Sequence, residues 1–287
     1  MLCIVGLIIV LGCVVGGYIG AGGHLEVLFQ PFEFIIIFGA AIGSFVVSNP
    51  MSIIKGTMKS FGTLLKGSKL KKDSYIELLS MLFATFKLSK SKGDLALESH
   101  IDKPEESALF QGYPGFAKDH HAVEFLCDNL RLLTMGTCAP HELEAVMDAE
   151  LDAHHADNHA ISGALQNVSD AMPALGIVAA VLGVIHTMGS ITEPPEVLGH
   201  LIGGALVGTF SGILMSYGIV APMAKSVENT HTADGFYMMC IKTALIGHVQ
   251  GYAPQVSVEF ARKILPGAVR PSFADMDAAF QTVQLPS

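Results

Sequence analysis

The chain has 287 residues, of which 51% are hydrophobic and only 15% are charged, and its mean hydropathy is +0.49. This composition is typical of an integral membrane protein and argues against a soluble enzyme. The net charge of −9, without a basic stripe interleaved with aromatic residues, disfavours a nucleic-acid partner.

Four uncharged apolar blocks predict four membrane-spanning helices, since about 20 such residues cross the hydrocarbon core of a bilayer. The blocks are Met1 to Gly23, Phe34 to Val47, Ala171 to Ile191 and Val197 to Ala224. The first lacks the positively charged start of a secretory signal, so we interpret it as a retained span. The second is short unless it borrows residues from Val46 to Met51.

Lysine and arginine are confined to two segments, Lys55 to Arg131 and Lys225 to Arg270. The positive-inside rule places both segments and both termini in the cytoplasm. We therefore expect an all-α integral membrane protein with four transmembrane helices and a helical cytoplasmic domain between spans two and three. The predicted parts are residues 1–50 (spans one and two with a short periplasmic loop), 51–169 (the cytoplasmic domain), 170–226 (spans three and four) and 227–287 (a cytoplasmic tail).

Lysines alternate with apolar residues directly after span two. They are Lys55, Lys59, Lys66, Lys69, Lys71 and Lys72. Such a stretch suits the surface of an anionic inner leaflet, and membrane lipids would then be partners of the chain. A topology signal made of solvated lysines explains the pattern at least as well.

Apolar spacing, with glycine or proline at the ends, predicts three cytoplasmic helices and a helical tail. The helices are Tyr75 to Lys90 before Gly93, Ala122 to Met135 before Gly136, and a third that opens at Pro140. The tail after Lys225 is predicted to be helical, with breaks at Gly251 and Pro254 and a loosely ordered end from Pro271.

Small residues recur four apart in the spans and predict close helix packing. They are Gly204, Gly208, Gly212 and Ser216 in span four, and Gly176 with Ala180 and Ala179 with Gly183 in span three. Spans one and two carry similar residues at Gly12, Gly16, Gly20, Gly39 and Gly43. Their partner helix lies either in the same subunit or in another copy.

The four spans contain no Asp, Glu, Lys or Arg, and Glu33 and Asp170 lie only at their edges. A proton relay within a membrane usually needs a buried ionisable group, so a partner helix would have to supply it. His186, near the outer end of span three, is a candidate relay at the outer mouth, although simple hydrogen bonding at the interface explains it more readily.

Other chemistry is not expected from the sequence. The histidines at positions 141, 154, 155 and 159 fit no metal-ligand pattern, and the five cysteines are scattered. Neither a phosphate-binding glycine loop nor a nucleophile with its base occurs, so we expect no metal, no cofactor and no enzymatic activity.

Two prolines, Pro173 and Pro222, lie at the inner ends of spans three and four. Each has a simple explanation alone, as a first-turn proline or as a proline that ends or kinks a helix. Pro222 also leaves the carbonyl of Gly218 without its usual partner. Their joint position on two adjacent small-residue helices favours a hinge or gate.

The order Ala205-Leu206-x-Gly208-Thr209-Phe210-x-Gly212-Ile213, followed by Pro222, resembles the signature of the MotA family of flagellar motor stator subunits. Segments in span three and the tail, including His186 to Gly189 and Gly251 to Pro254, resemble the family too, so the similarity covers nearly the whole chain. It implies a bacterial inner-membrane stator in which five such subunits surround two MotB chains. A transmembrane aspartate of MotB would carry the proton, and its passage would produce torque on the rotor protein FliG.

The resemblance also implies roles for particular residues. The implied channel and coupling positions are Pro173, Ala180, Thr209, Tyr217 and Pro222. The implied rotor-facing positions are Lys90, Glu98 and Glu150. Lys90 stands where the family often has arginine, so the charge is kept but the bidentate geometry of a guanidinium is not.

The transported ion is predicted from the hydroxyl groups near the channel. Sodium requires several oxygen ligands, and sodium-type relatives carry a threonine where this chain has Ala180. Thr209 alone makes a poor sodium cage, so the resemblance and the residues together predict protons.

Two alternatives stay open. An energiser of the ExbB or TolQ type would also surround a partner helix, but such proteins usually have three spans. A self-sufficient secondary transporter would need polar groups at mid-membrane, where this chain offers only Thr209 and a few serines.

Overall fold

The computed structural model describes residues 2–66, 70–136 and 139–283. All regular structure in these ranges is helical. Met1, Lys69 and Cys138 lie outside the described residues. The chain forms two compact units: a membrane unit within Met1–Gly67 and Asp157–Thr230, and a helical unit within Ser68–Ala156 and His231–Ser287.

Fourteen α-helices follow one another in the described residues. They are α1 (Leu2–Gly20), α2 (Leu25–Leu28), α3 (Pro31–Ser48), α4 (Met51–Lys66), α5 (Lys72–Lys92), α6 (Glu98–Asp102), α7 (Ala108–Gln111), α8 (Pro114–Ala117), α9 (His120–Thr134), α10 (Pro140–Gly189), α11 (Pro195–Met215), α12 (Ala221–Val249), α13 (Pro254–Ile264) and α14 (Phe273–Gln281). A 3₁₀ turn, Asp94–Leu97, joins α5 to α6, and a π-helical turn, Ser216–Val220, joins α11 to α12.

Four helical stretches in the described chain are long and apolar enough to cross a membrane, which confirms the expected fold class. Span two differs from its predicted bounds. It was predicted from Phe34 to Val47, and the helix runs from Pro31 to Ser48. Proline suits the first helical position because its missing N–H would have no partner there, and the extended backbone of Asn49 ends the helix before Pro50.

Helix α10 corrects the prediction of a separate third cytoplasmic helix and a third span. The two are one continuous helix of 50 residues that starts at Pro140, as expected, and ends at Gly189. Pro173 lies inside it. A single proline removes one backbone hydrogen bond, and in this region no glycine adopts the positive φ that ends a helix at Gly93 and Gly136.

Helix α4 has three distinct faces. Thr57 and Ser60 are buried, and Gly56 lies against Ile161 of α10. Met58 and Phe61 are exposed on a second face, and Lys55 and Lys59 are exposed beside them. An uncovered apolar stripe next to lysines is the pattern of a helix that lies at a lipid surface.

Helix α5 is the centre of the helical unit. Its buried residues, among them Tyr75, Leu78, Leu82 and Phe86, join side chains from α9, α12 and α13 in one core. Burying each such side chain stabilises the fold by about 1.5–3 kcal/mol. The helix ends before Gly93, whose φ of 85° confirms the predicted stop.

The end of the chain is better ordered than the sequence indicated. Residues after Pro271, predicted to be loose, form helix α14. Ser272 and Asp275 cap its start reciprocally, and Lys72 pairs with Asp275 at 2.7 Å. Phe280 stacks on Phe83 with ring centroids 4.3 Å apart. Local capping, the stacked Phe280 and the buried Met276, which is 2% exposed, therefore hold a segment with little hydrophobic periodicity.

Candidate channel site in the membrane unit

Helices α10 and α11 meet through glycines, as the small-residue pattern predicted. A Cβ atom on Gly212 would lie 2.7 Å from the carbonyl oxygen of Met172 and 2.9 Å from the Cα of Gly176. A Cβ atom on Gly183 would lie 2.7 Å from the Cβ of Ala205. The two backbones are thus in direct contact, and no larger side chain fits between them.

We call this contact between α10 and α11 the glycine seam, and its glycines are Gly176, Gly183, Gly208 and Gly212. The predicted channel positions Ala180 and Thr209 lie along it. A Cβ atom on Gly208 would lie 3.1 Å from the backbone nitrogen of Ala180, and one on Gly176 would lie 3.4 Å from the Cα of Thr209. The structure therefore brings these two residues to the same contact between spans three and four, and both are partly exposed.

Glu33 lies in the first turn of α3, at the edge of span two as predicted, and it also reaches the same seam, a contact that the sequence analysis missed. Its Oε2 atom would lie 2.7 Å from a Cβ on Gly208, and its Oε1 atom 3.2 Å from a Cβ on Gly183. Oε2 is buried and has no hydrogen-bond partner among the described residues. The carboxylate thus lies close to two residues without side chains, Gly183 and Gly208, and a larger residue at either position would displace it.

Two buried serines link the helices beside the prolines. The Ser169 hydroxyl lies 3.2 Å from the carbonyl oxygen of Ser216 and 3.1 Å from its hydroxyl, and both residues are 0% exposed. Pro173 has no N–H to donate, so the carbonyl of Ser169, four residues earlier, lacks its usual partner within the helix. Sequence reasoning missed Ser169, although it continues the seven-residue spacing of Gly176 and Gly183.

The π-helical turn lies just before Pro222. The N–H of Ala221 donates to the carbonyl of Ser216, which also accepts the hydroxyl of Ser169. π-Helical turns are rare in proteins, and those that do occur are often found at functional sites. The predicted positions Tyr217 and Pro222 are on or beside this turn, and both are exposed, Tyr217 to 64%.

His186 lies apart from these groups. It is exposed near the C-terminal end of α10, whereas the adjacent Thr187 is buried and donates to the carbonyl of Gly183 at 2.9 Å. No cluster of three potential metal ligands occurs in the described part of the chain.

The predicted rotor-facing residues belong to the helical unit. Lys90 is exposed in the last turn of α5, and its Nζ atom donates to the carbonyl of Gly251 at 3.1 Å. Glu98 is exposed as the first residue of α6. Glu150, on α10, accepts a hydrogen bond from the buried Asn129 at 3.4 Å, and desolvation raises the pKa of its carboxyl above the usual value.

Two family profiles match this chain. One, described as Motility protein A N-terminal, matches residues 4–93. The other, described as the MotA/TolQ/ExbB proton channel family, matches residues 118–233 and includes the glycine seam and both prolines. Four candidate spans and the match to this family define the chain as a membrane protein of the proton-channel class, and this family is not a known class of enzymes.

Individual relatives narrow the class. Motility protein A of Salmonella typhimurium is 41% identical over 287 residues, covering 100% of this chain and 97% of the relative. Chemotaxis protein LafT of Vibrio parahaemolyticus is 35% identical over 272 residues, covering 95% of each. The chain belongs to the motility protein A family and is an inner-membrane stator subunit of the flagellar motor that forms part of a proton channel.

Solved structures agree with this fold. The chain superposes on a chain of C. jejuni MotAB with a TM-score of 0.79 at 21% identity, over 94% of this chain and 98% of the other. For the flagellar MotAB stator complex from Bacillus subtilis the TM-score is 0.73 at 24% identity, over 91% and 93%. These similarities concern the fold alone.

Proposed function

We propose that five copies of this chain surround two MotB-like chains and that proton passage between them turns the ring against the rotor protein FliG. The observation that carries the proposal is the absence of Asp, Glu, Lys and Arg from the apolar part of all four spans, with Glu33 only in the first turn of α3. Neutral side chains cannot hold the proton, and the Glu33 carboxylate is packed against Gly183 and Gly208 inside the subunit, so a partner's transmembrane aspartate supplies the carrier.

The uncovered glycines of α1 and α3 support an assembly. A Cβ atom on any of five glycines would meet nothing within 4 Å, and these are Gly12, Gly16, Gly20, Gly39 and Gly43. In α10 and α11, by contrast, a Cβ atom on Gly204 or on any glycine of the seam would meet atoms of the same subunit at 3.0 Å or closer. Of the two packing partners that the sequence left open for spans one and two, helices of other chains are therefore favoured.

The orientation is proposed from charge. Both termini and the helical unit face the cytoplasm, because all lysines and arginines lie in segments 55–131 and 225–270. Helix α4 lies at the anionic inner leaflet, with Met58 and Phe61 in the acyl boundary and Lys55 and Lys59 at the headgroups.

Torque is transmitted at the helical unit. Lys90 and Glu98 flank one exposed turn and offer charges of opposite sign to FliG, while Glu150 contributes on α10. Exposed charges of this kind mainly steer association and set register, and they add little affinity. In the membrane, Pro173 and Pro222 with the Ser169–Ser216 link let protonation of the partner shift α10 against the turn before α12. For His186, exposed near the C-terminal end of α10, the proposed role is a proton relay at the outer mouth.

Proton flux tests whether this chain forms the channel wall while the partner carries the proton. In this family the partner carries a plug, a segment that keeps the channel closed. In cells that express this chain with a MotB-like partner lacking its plug, we expect proton flux, and we expect none from this chain alone. Changing the partner's membrane aspartate to asparagine is expected to stop the flux, because the carrier is lost. Flux from this chain alone would overturn the proposal and favour a self-sufficient transporter.

Ion selectivity is expected to follow from the few side-chain oxygens that the predicted channel positions Ala180 and Thr209 offer. Replacing external sodium by potassium at constant proton-motive force should leave swimming speed unchanged, since Ala180 and Thr209 provide at most one side-chain oxygen. Dissipating the proton gradient at constant sodium should stop swimming. A speed that collapsed on sodium removal would refute proton coupling.

A further inference from the structure

A buried histidine in the helical unit has no role in the mechanism above. His248 lies in the last turn of α12, is 7% exposed, and stacks on Phe86 of α5 with ring centroids 4.5 Å apart and planes inclined by 5°. Its Nε2 atom lies 3.0 Å from the hydroxyl of Ser89, which also bonds the carboxylate of Asp94. The three side chains line a cavity of about 300 Å³ together with Lys90.

The chemistry of the three groups fixes the direction of their hydrogen bonds. An ionised carboxylate only accepts, so the Ser89 hydroxyl donates its single proton to Asp94. Ser89 then has only a lone pair for the imidazole, and His248 donates from Nε2–H. Nδ1 is buried without a partner among the described residues, as expected of a neutral ring. Burial lowers the pKa of His248, against an opposing effect of Asp94, so the ring stays neutral at neutral pH.

A second contact ties the same two parts of the chain together. Lys90, next to Ser89, donates to the carbonyl of Gly251, and the N–H of Gly251 donates to the carbonyl of His248 at 2.9 Å. Gly251 has a φ of 91°, which permits this tight turn after α12. The last turn of α5 is therefore held twice by the turn that ends α12.

The tethered turn of α5 leads directly into the segment Lys90 to Glu98, which is exposed up to Leu95 and again at Glu98. Gly93, with a φ of 85°, reverses the chain there, and Asp94 starts the following 3₁₀ turn. The bond from Ser89 to Asp94 closes the reversal, and His248 fixes the orientation of Ser89. Leu97 is 1% exposed and anchors the far end of the segment in the core, so these bonds restrict the residues between Ser89 and Leu97.

We propose that His248 is a positioning residue for rotor engagement, which holds the segment Lys90 to Glu98, through Ser89 and Asp94, in the orientation that meets the rotor. The inference rests on the proposed function, because it assigns this segment to the rotor interface. A charged surface held in its bound orientation loses less conformational freedom on docking than a mobile one.

The test compares two replacements of His248 in motile cells. In His248→Phe, the ring keeps its stacking on Phe86 but loses the donor to Ser89; in His248→Gln, the side-chain amide nitrogen replaces Nε2–H. We expect His248→Phe to lower the torque increment per stator in a bead assay by about fivefold, the factor that one hydrogen bond typically contributes to an equilibrium. His248→Gln should restore torque toward the wild-type value.

Two further readouts separate positioning from folding and from channel function. The amount of His248→Phe protein in membranes and its proton flux with an unplugged partner should match wild type, because neither depends on the segment. His141→Phe is the matched control, since His141 is exposed at the start of α10, and it should leave torque unchanged. If the His248→Phe protein fails to accumulate, torque is measured in Ser89→Ala instead. This variant removes the hydroxyl that bonds both His248 and Asp94.

Unchanged torque in Ser89→Ala or in a stable His248→Phe protein would overturn the inference, as would equal losses in the glutamine and phenylalanine variants. Loss of flux together with torque in His248→Phe would also overturn it, since the histidine would then act on the whole subunit. Absence of flux or torque in the wild-type complex would instead refute the proposed function itself.

Discussion

Replacing Gly212 with alanine is expected to abolish swimming. The added methyl group would lie 2.7 Å from the carbonyl oxygen of Met172 and 2.9 Å from the Cα of Gly176, so the backbones of α10 and α11 must separate. Overpacking of this kind typically costs about 1–3 kcal/mol. The same separation would displace Ala180 and Thr209 from each other, so flux is lost as well as stability. Swim-ring diameter and the amount of protein in membranes measure the two effects.

Gly199→Ala is the matched control. Gly199 lies on the same helix, is exposed, and would place its new Cβ with nothing within 4 Å. Because alanine is a better helix former than glycine by about 1 kcal/mol, this variant should accumulate at least as well as wild type and swim normally. Wild-type swimming in Gly212→Ala would show that the two spans do not approach as closely as described.

The glycine seam could be predicted because periodicity carries its whole signal. Glycines four apart in span four, and small residues four and seven apart in span three, lie on one face of each helix. In an apolar helix this spacing indicates close packing against another helix. The helix ends at Gly93 and Gly136 could be predicted equally well, since a positive φ strongly favours glycine. Repetition and backbone sterics are local properties, which one sequence reveals.

The parts that could not be predicted depend on contacts between distant residues. Glu33 is only an edge carboxylate in the sequence, and its burial against Gly183 and Gly208 follows from how α3 crosses the seam. Ser169 and Ser216 look like two more small residues until the helices are paired. The continuity of α10 was missed because a proline and a change from polar to apolar composition suggest a break that the backbone does not make.

Changing Pro173 and Pro222 together to alanine is expected to stop motor rotation while the protein still accumulates in the membrane. Alanine restores N–H donors that reach back four residues, to the carbonyls of Ser169 and Gly218. The added bond at Gly218 would convert the π-helical turn Ser216–Val220 toward a regular helix and shift Ser216 relative to Ser169. A helix without proline is more stable by about 3 kcal/mol at such a position, so loss of protein is not expected.

The measurements are the torque of single motors, the amount of membrane protein and its co-purification with the MotB-like partner. Pro195→Ala is the control, because Pro195 occupies the first position of α11, where a restored N–H finds no helical partner. This control should rotate normally. Normal rotation in the double variant would instead show that the serine link and the π-helical turn only pack the spans together. The stator would then couple protonation to movement elsewhere, with Glu33, the carboxylate that the seam encloses, as the next residue to change.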